Sequence, residues 1–329
     1  MIYYIYTDKE VEFVEEVKGH LEGKDISYLS FDELDTLDVS SVSHLLVTGC
    51  LDEIKLLLDV AYKSELPIGI IPTPKQKELT RTFALPSKLE DAIDLALTPA
   101  EKKLDVLYSN GTIVLQEVVV GDAPPLDLFD SALKRKTYFD RIKMFWRTIK
   151  KVKDLKHTEM KITDAQANEI KLSAVGIVGI EYKNATFASK LISSQLSAND
   201  GKLSIVILSP TSIVQYMGYL FKSLVSHLTP EKLPSSVGYV RSTKLYIETK
   251  IPLEVLVDST LQQQTPLELE VKKAALSLSV GETFWEKQKV EGNGKDSVKV
   301  DHLPSDEARS TYLSKAIPLF SHASQEQYA

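Results

Sequence analysis

Short apolar runs alternate with amphipathic stretches at the start of this chain, and that alternation constrains the fold more than any other feature. Ile2 to Tyr6 is an apolar run of strand length. Val11 to Leu21 places Val11, Val14, Val17 and Leu21 at helical spacing with acidic residues between them. Ser43 to Thr48 reads as a buried strand ending at Gly49. Leu51 to Tyr62 reads as a helix with Leu51, Ile54, Leu57, Leu58 and Ala61 on one face. Pro67 to Ile71 is a further buried strand, and Leu89 to Leu97 a closing helix. Alternation of this kind implies a mostly parallel sheet covered by helices, so residues 1–97 are expected to form a three-layer α/β domain.

The pattern changes after residue 97. Val106 to Tyr108, Ile113 to Val120, Ile170 to Tyr182, Leu203 to Leu208, Lys244 to Thr249, Leu253 to Val257 and Leu267 to Val271 are β-like, and Leu276 to Val280 adds another run. Turn signals separate them at Asn110-Gly111, Asn199-Asp200-Gly201 and Pro266. Residues 98–281 therefore read as a larger, mostly antiparallel sandwich-like domain, interrupted by helices near 131–156 and 210–228. Residues 282–304 are polar, contain Gly292-Asn293-Gly294 and read as a linker. Ser305 has the position of an N-cap, so 305–329 read as a C-terminal helix. With no helix-stop signal before Ala329, the expectation is that a larger protein continues beyond it.

Composition excludes several classes. Lys plus Arg is 39 and Asp plus Glu is 46, a net charge of −7 that argues against a nucleic-acid binder. Cys50 is the single cysteine, so no internal disulfide forms and a reducing, cytoplasmic compartment is expected. The N-terminus has neither a basic region nor a cleavage site, and no apolar stretch reaches bilayer length. Zinc-protease, nucleophile-elbow and Walker A motifs are missing from the sequence.

What remains is an ordered series of weak motifs: T-G-C-L-D at 48–52, G-I-I-P-T-P-K-Q-K-E-L-T-R at 69–81, Ala84-Leu85-Pro86, a Lys- and Tyr-rich helix at 134–152, N-D-G-K-L-S-I at 199–205, V-D-S-T at 257–260 and T-P-L-E-L-E-V at 265–271. This order resembles the catalytic domain of diacylglycerol kinases and bacterial lipid kinases, within the wider NAD-kinase-like superfamily. The resemblance covers residues 1 to about 281 and implies a two-domain fold with ATP and Mg²⁺ bound between phosphate loops. The family's G-G-D-G-T falls on T-G-C-L-D, where only Gly49 matches. Gly69, Ile70, Ile71, Pro72 and Arg81 keep the family's scaffold, but its Gly-Thr pair and Asn fall on Pro74, Lys75 and Lys77. Its D-G-E falls on Asp258, Ser259 and Thr260, and its early phosphate loop on Tyr6-Thr7-Asp8-Lys9.

Each loss has a chemical cost. Phosphoryl transfer is mainly positioning and charge neutralisation. A neutral Cys50 cannot supply the oxygen ligands Mg²⁺ requires. Pro74 removes a backbone N–H. Thr260 cannot accept a proton at neutral pH, so it cannot replace a Glu base. By the resemblance, Gly49, Cys50, Thr73, Lys75 and Lys77 are the residues of degenerate nucleotide loops. Asp52 and Asp258 are the catalytic candidates of an active enzyme, and Asp200 is a candidate Mg²⁺ ligand. Each has a plainer reading beside it. Cys50 is a small buried residue at a strand end. Asp52 is an acidic residue at a helix start. Asp258 and Asp200 are turn residues, and Lys75 and Lys77 are solvated.

Two segments point to a membrane. Lys134, Arg135, Lys136, Arg141, Lys143, Arg147, Lys150 and Lys151 accompany Tyr138, Ile142, Phe145, Ile149 and Val152 on one helical face. A basic amphipathic helix of this kind suits an anionic lipid surface; the plainer reading packs it on the second domain. Residues 308–329 resemble the segment preceding the membrane part of a multi-span bacterial family, domain of unknown function number 389. The reading that follows is a catalytically degenerate lipid-kinase-like module. It would be a regulatory or ligand-sensing head at the inner face of the membrane, with no cofactor of its own and a membrane domain in the same full-length protein as partner. The alternatives are an active divergent ATP-dependent kinase of diacylglycerol or sphingoid lipids, and a ligand-free scaffold. The sequence leaves the oligomeric state open.

Overall fold

The computed structural model describes residues 1–100, 102–121, 157–184, 189, 192, 196–208 and 237–288. The first part follows the expected alternation. Strands β1 (Ile2–Tyr6), β2 (Ile26–Ser30), β3 (His44–Thr48) and β4 (Ile68–Ile70) form a parallel sheet in the order β2-β1-β3-β4. Helices α1 (Val11–Leu21) and α4 (Leu89–Leu97) cover one face, burying Val14, Val17, Ile93 and Ala96 against Tyr4 and Leu46. Helix α2 (Leu51–Lys63) covers the other with Ile54, Leu57, Leu58 and Ala61. A short α3 (Lys77–Thr82) precedes α4. β2 escaped the sequence reading because I-S-Y-L-S alternates at the sheet's edge and none of its residues is fully buried.

The second part is two six-stranded antiparallel sheets. One has the order β6-β5-β16-β13-β8-β9: β5 (Leu104–Ser109), β6 (Thr112–Val114), β8 (Thr158–Asp164), β9 (Glu169–Ala174), β13 (Lys244–Thr249) and β16 (Leu267–Leu276). The other is β12-β11-β10-β7-β14-β15: β7 (Val118–Gly121), β10 (Gly176–Ile180), β11 (Leu203–Leu208), β12 (Val237–Ser242), β14 (Glu254–Val257) and β15 (Leu261–Gln264). Their facing residues, among them Leu107, Val118, Ile162, Ile177, Ile205, Leu245 and Leu269, make one core. The runs expected at 113–120 and 170–182 are each two structures, because the chain turns at 115–117 and again at Val175 and changes sheets.

α2 is the middle layer of the molecule. Its apolar face shares a core with Leu104, Val106 and Tyr108 of β5 and Ile113 of β6. β5 is consequently buried along its whole length.

Around the expected boundary at 281 and linker at 282–304, the described residues run only to 288. β16 runs to Leu276, with a shift in its register on β5 between Lys272 and Leu276, and the chain then returns to the α/β sheet instead of forming a strand at 276–280. Ile68 N donates to Ser277 O at 2.9 Å, and Ser279 N donates to Ile68 O at 3.0 Å. Residues 282–288 form helix α5 (Glu282–Gln288). Its Phe284 is fully buried, with ring centroids 5.9 Å from Phe83 and 6.3 Å from Tyr182. A polar composition concealed this docking, which rests on the buried Phe284 ring and on the buried Gln288. Residues 289–304, the C-terminal segment 305–329 and the basic stretch at 134–152 lie outside the described residues.

Candidate functional site

In an open parallel α/β sheet, ligands bind beyond the carboxyl ends of the strands. Here the loops after β1, β3 and β4 meet at that edge. Thr7 follows β1 and is buried, with its N–H on Thr48 O at 3.2 Å. Gly49 and Cys50 follow β3 and lead into α2. Pro72 to Gln76 follow β4 and lead into α3.

Several of the chain's own side chains meet at this edge. Glu53, in the first turn of α2, folds back so that Oε2 accepts the Cys50 N–H at 2.7 Å. Its Oε1 accepts the Thr7 hydroxyl at 3.2 Å and lies 3.0 Å from Lys9 Nζ. Burial pushes the Glu53 carboxyl up, but the Cys50 N–H and the Lys9 ammonium outweigh it and hold the group below the usual carboxylate range. A helix N-terminus attracts anions through free N–H groups and its dipole; at α2 that place is taken by a tethered carboxylate. Gly49 is where the carboxylate lands: a Cβ there would stand 2.8 Å from Glu53 Oε2. Its survival among the altered loop residues thus has a local steric cause.

The loop after β4 is tied to the same turn. Gln76 Nε2 donates to Gly49 O at 2.5 Å while Gln76 Oε1 accepts the Thr73 N–H at 3.0 Å. Thr73 is therefore buried and committed. Lys75 pairs with Glu10 at 2.6 Å, and Lys77 is exposed at the start of α3. Gly69, within β4, is fixed by packing: a Cβ would stand 2.1 Å from Ala96 O of α4.

The candidate carboxylates separate into different roles. Asp258 is fully buried and receives the N–H groups of Leu115 (3.0 Å), Gln116 (2.7 Å) and Glu117 (3.1 Å). It also pairs with Lys55 of α2 at 2.6 Å, whose side chain is only 6 % exposed. Asp258 and Ser259 both have positive φ, 51° and 60°. Such conformations persist where surrounding contacts fix them, and three backbone N–H groups and the Lys55 ion pair converge here. Asp258 is thus a clasp between α2 and the β-rich part. Asp200 pairs with Arg241 and accepts Lys202 N–H at 3.0 Å, so a guanidinium stands where a cation was expected. Asp52 is exposed in the first turn of α2. Cys50 is exposed at the N-cap rather than buried, because the strand ends two residues earlier. Among the described residues, no group of three or more His, Cys, Asp and Glu side chains is arranged to hold a metal ion. The eight basic residues from Lys134 to Lys151 lie outside the described residues.

Sequence reasoning missed Glu53, Lys55, Lys9 and Gln76. Glu53 stands three residues after Cys50, the spacing of a capping box, and that was the available signal. Nothing local could show that Lys55 meets a residue 203 positions away.

A cavity of about 200 Å³ lies at the other end of α2, lined by Asp59, Tyr62, Lys63, Tyr108 and Glu268. Asp59 there already holds Lys63 at 2.5 Å and the Tyr108 hydroxyl at 3.1 Å.

No family model matches the chain. Two curated staphylococcal proteins, each named "Putative lipid kinase", are similar in sequence. The one from Staphylococcus haemolyticus strain JCSC1435 is 24% identical over 65% of this chain and 68% of its own length. The one from Staphylococcus carnosus strain TM300 is 21% identical over 65% and 68%. Among solved structures, a diacylglycerol kinase from Bacillus anthracis strain Sterne superposes with a TM-score of 0.64 at 18% identity, covering 86% of this chain and 97% of that one. The chain is similar to bacterial lipid kinases and has the diacylglycerol-kinase-like two-domain fold.

Proposed function

We propose that this lipid-kinase-like chain is a catalytically degenerate module whose phosphate loops are closed by its own side chains. In this reading it serves as the regulatory or ligand-sensing head of a bacterial membrane protein. One observation carries the first half: the Glu53 carboxylate lies on the Cys50 N–H with Lys9 beside it. An incoming phosphate would meet a like charge at the end of α2 and would have to displace an ion pair to bind. The other candidate ligands are engaged too, Asp258 by Lys55 and Asp200 by Arg241. α2 offers a route for signalling. Its first turn lies in the loops, while Lys55 and Asp59 reach the β-rich part. The membrane half rests on the basic amphipathic sequence at 134–152 and on the 308–329 segment. No described helix is long and apolar enough to cross a membrane.

The test is calorimetric titration with ATP, with and without Mg²⁺, followed by sedimentation with anionic vesicles. Absence of heat to about millimolar ATP, together with vesicle binding, is the expected result. Mg²⁺-dependent binding in the micromolar range would sink the degenerate reading. The second reading, an active divergent ATP-dependent kinase of diacylglycerol or sphingoid hydroxyls, is favoured by the exposure of Asp52 beside the loops. It requires turnover that Asp52→Asn abolishes.

A further inference from the structure

Glu181 follows β10 and is 2 % exposed, and neither of its carboxylate oxygens has a hydrogen-bond partner. Charged groups face it from three elements: Asp105 of β5, Asp200 of the turn before β11, and Arg241 of β12. Both neighbouring carboxylates are engaged elsewhere. Asp105 accepts the N–H groups of Gly201 and of Ala274, the latter at 2.7 Å, and Asp200 holds Arg241. Arg241 Nε is also buried without a partner. An ionised Glu181, itself buried, would add a third negative charge to Asp105 and Asp200, against the Arg241 guanidinium and Lys273, which faces Asp105. An isolated buried charge is too costly to persist; such groups take a proton instead.

The cluster borders a joint. Tyr182, next to Glu181, donates its hydroxyl to Asp105 O, and its ring packs on Phe83 of the α/β part and Phe284 of α5. Lys183 exchanges two hydrogen bonds with Gln288 of α5, at 2.9 and 3.1 Å. Asn184 Nδ2 donates to Gln116 O at 2.8 Å, beside the Asp258 clasp.

We infer that Glu181 enters the folded chain as a neutral acid and that its proton locks the joint between the β-rich part and α5. Burial, then repulsion from Asp105 and Asp200, raises its proton affinity above the ordinary carboxylate value, with Arg241 opposing. The folded chain then binds a proton that the unfolded chain releases, so the lock is fully present below the ordinary value and is lost as pH rises through the raised one.

The experiment uses the full chain and Glu181→Gln, which keeps shape and removes the titration. Between the ordinary and raised values, the wild-type folding constant should fall about tenfold per pH unit relative to Glu181→Gln. Hydrogen-exchange protection factors in 181–184 and α5 should fall over the same interval in the wild type alone. Parallel pH profiles would overturn the inference. Should Glu181→Gln fail to fold, isotope-edited infrared spectra of glutamate-labelled wild type decide the matter. A protonated carboxyl band at neutral pH supports it, and its absence overturns it. In Asp200→Asn the band should vanish at lower pH, because a repelling charge is gone and Arg241 is freed; an unmoved midpoint also overturns it.

Discussion

Lys55 and Asp258 make the most consequential pair in the chain, because both are buried and they belong to different parts of the molecule. Replacing one partner of a buried ion pair strands the other charge. Lys55→Met is therefore expected to cost about 3 kcal/mol, read from urea unfolding at neutral pH. Glu53 is smaller in effect and opposite in sign of titration to Glu181. Its carboxyl is held below the ordinary range, so its contribution is present above that range and is lost as pH falls through the lowered value. Glu53→Gln should lower the unfolding midpoint above that range and flatten the acid-side loss, which a pH series of unfolding midpoints would show. Thr7, Lys9 and Glu53 together tie the loop after β1 to the first turn of α2.

The elements reveal how much of the fold depends on close approach. β4 is three residues long and is flanked by α4, whose Ala96 backbone leaves no room for a Cβ on Gly69. Gly69→Ala is expected to cost about 3 kcal/mol or more, with loss of the His44–Ala96 hydrogen bond, now 2.8 Å, visible in the histidine ring NMR signals. α5 is held by Phe284 against Phe83 and Tyr182. Phe284→Ala should cost about 3 kcal/mol and dissolve the near-ultraviolet dichroism of that aromatic group. A control at exposed Leu56 should leave both unchanged.

At the scale of the molecule, α2 and the 277–288 return tie the two parts together. The return adds hydrogen bonds at β4, and α2 contributes to a core shared with β5 and β6. Thermal unfolding should therefore show one transition, coincident by fluorescence and by far-ultraviolet dichroism. Phe284→Ala combined with Lys55→Met should separate the two probes, because these substitutions cut the joint at both places; coincident transitions in that variant would contradict the view that these contacts couple the parts.

The sequence by itself determined the fold class: period-3.6 faces and buried apolar runs set the parallel α/β part, and period-2 runs with Asn-Gly and Asn-Asp-Gly turns set the antiparallel part. The resemblance to lipid kinases also set an expectation, that Cys50, Pro74 and Thr260 stand where that family uses acidic, glycine and glutamate residues. Edge strand β2 and helix α5 were not legible. Their burial is partial or rests on one aromatic residue, and periodicity needs a whole buried face to register. The site itself was decided by tertiary structure. Whether Asp258 and Asp200 are free carboxylates depends on Lys55 and Arg241, which lie 203 and 41 positions away. Whether Glu181 carries a proton depends first on its burial, then on Asp105 and Asp200 from other elements, with Arg241 opposing. A residue's type fixes which charges it can carry, but the neighbours that set its charge are chosen by the packing of distant segments.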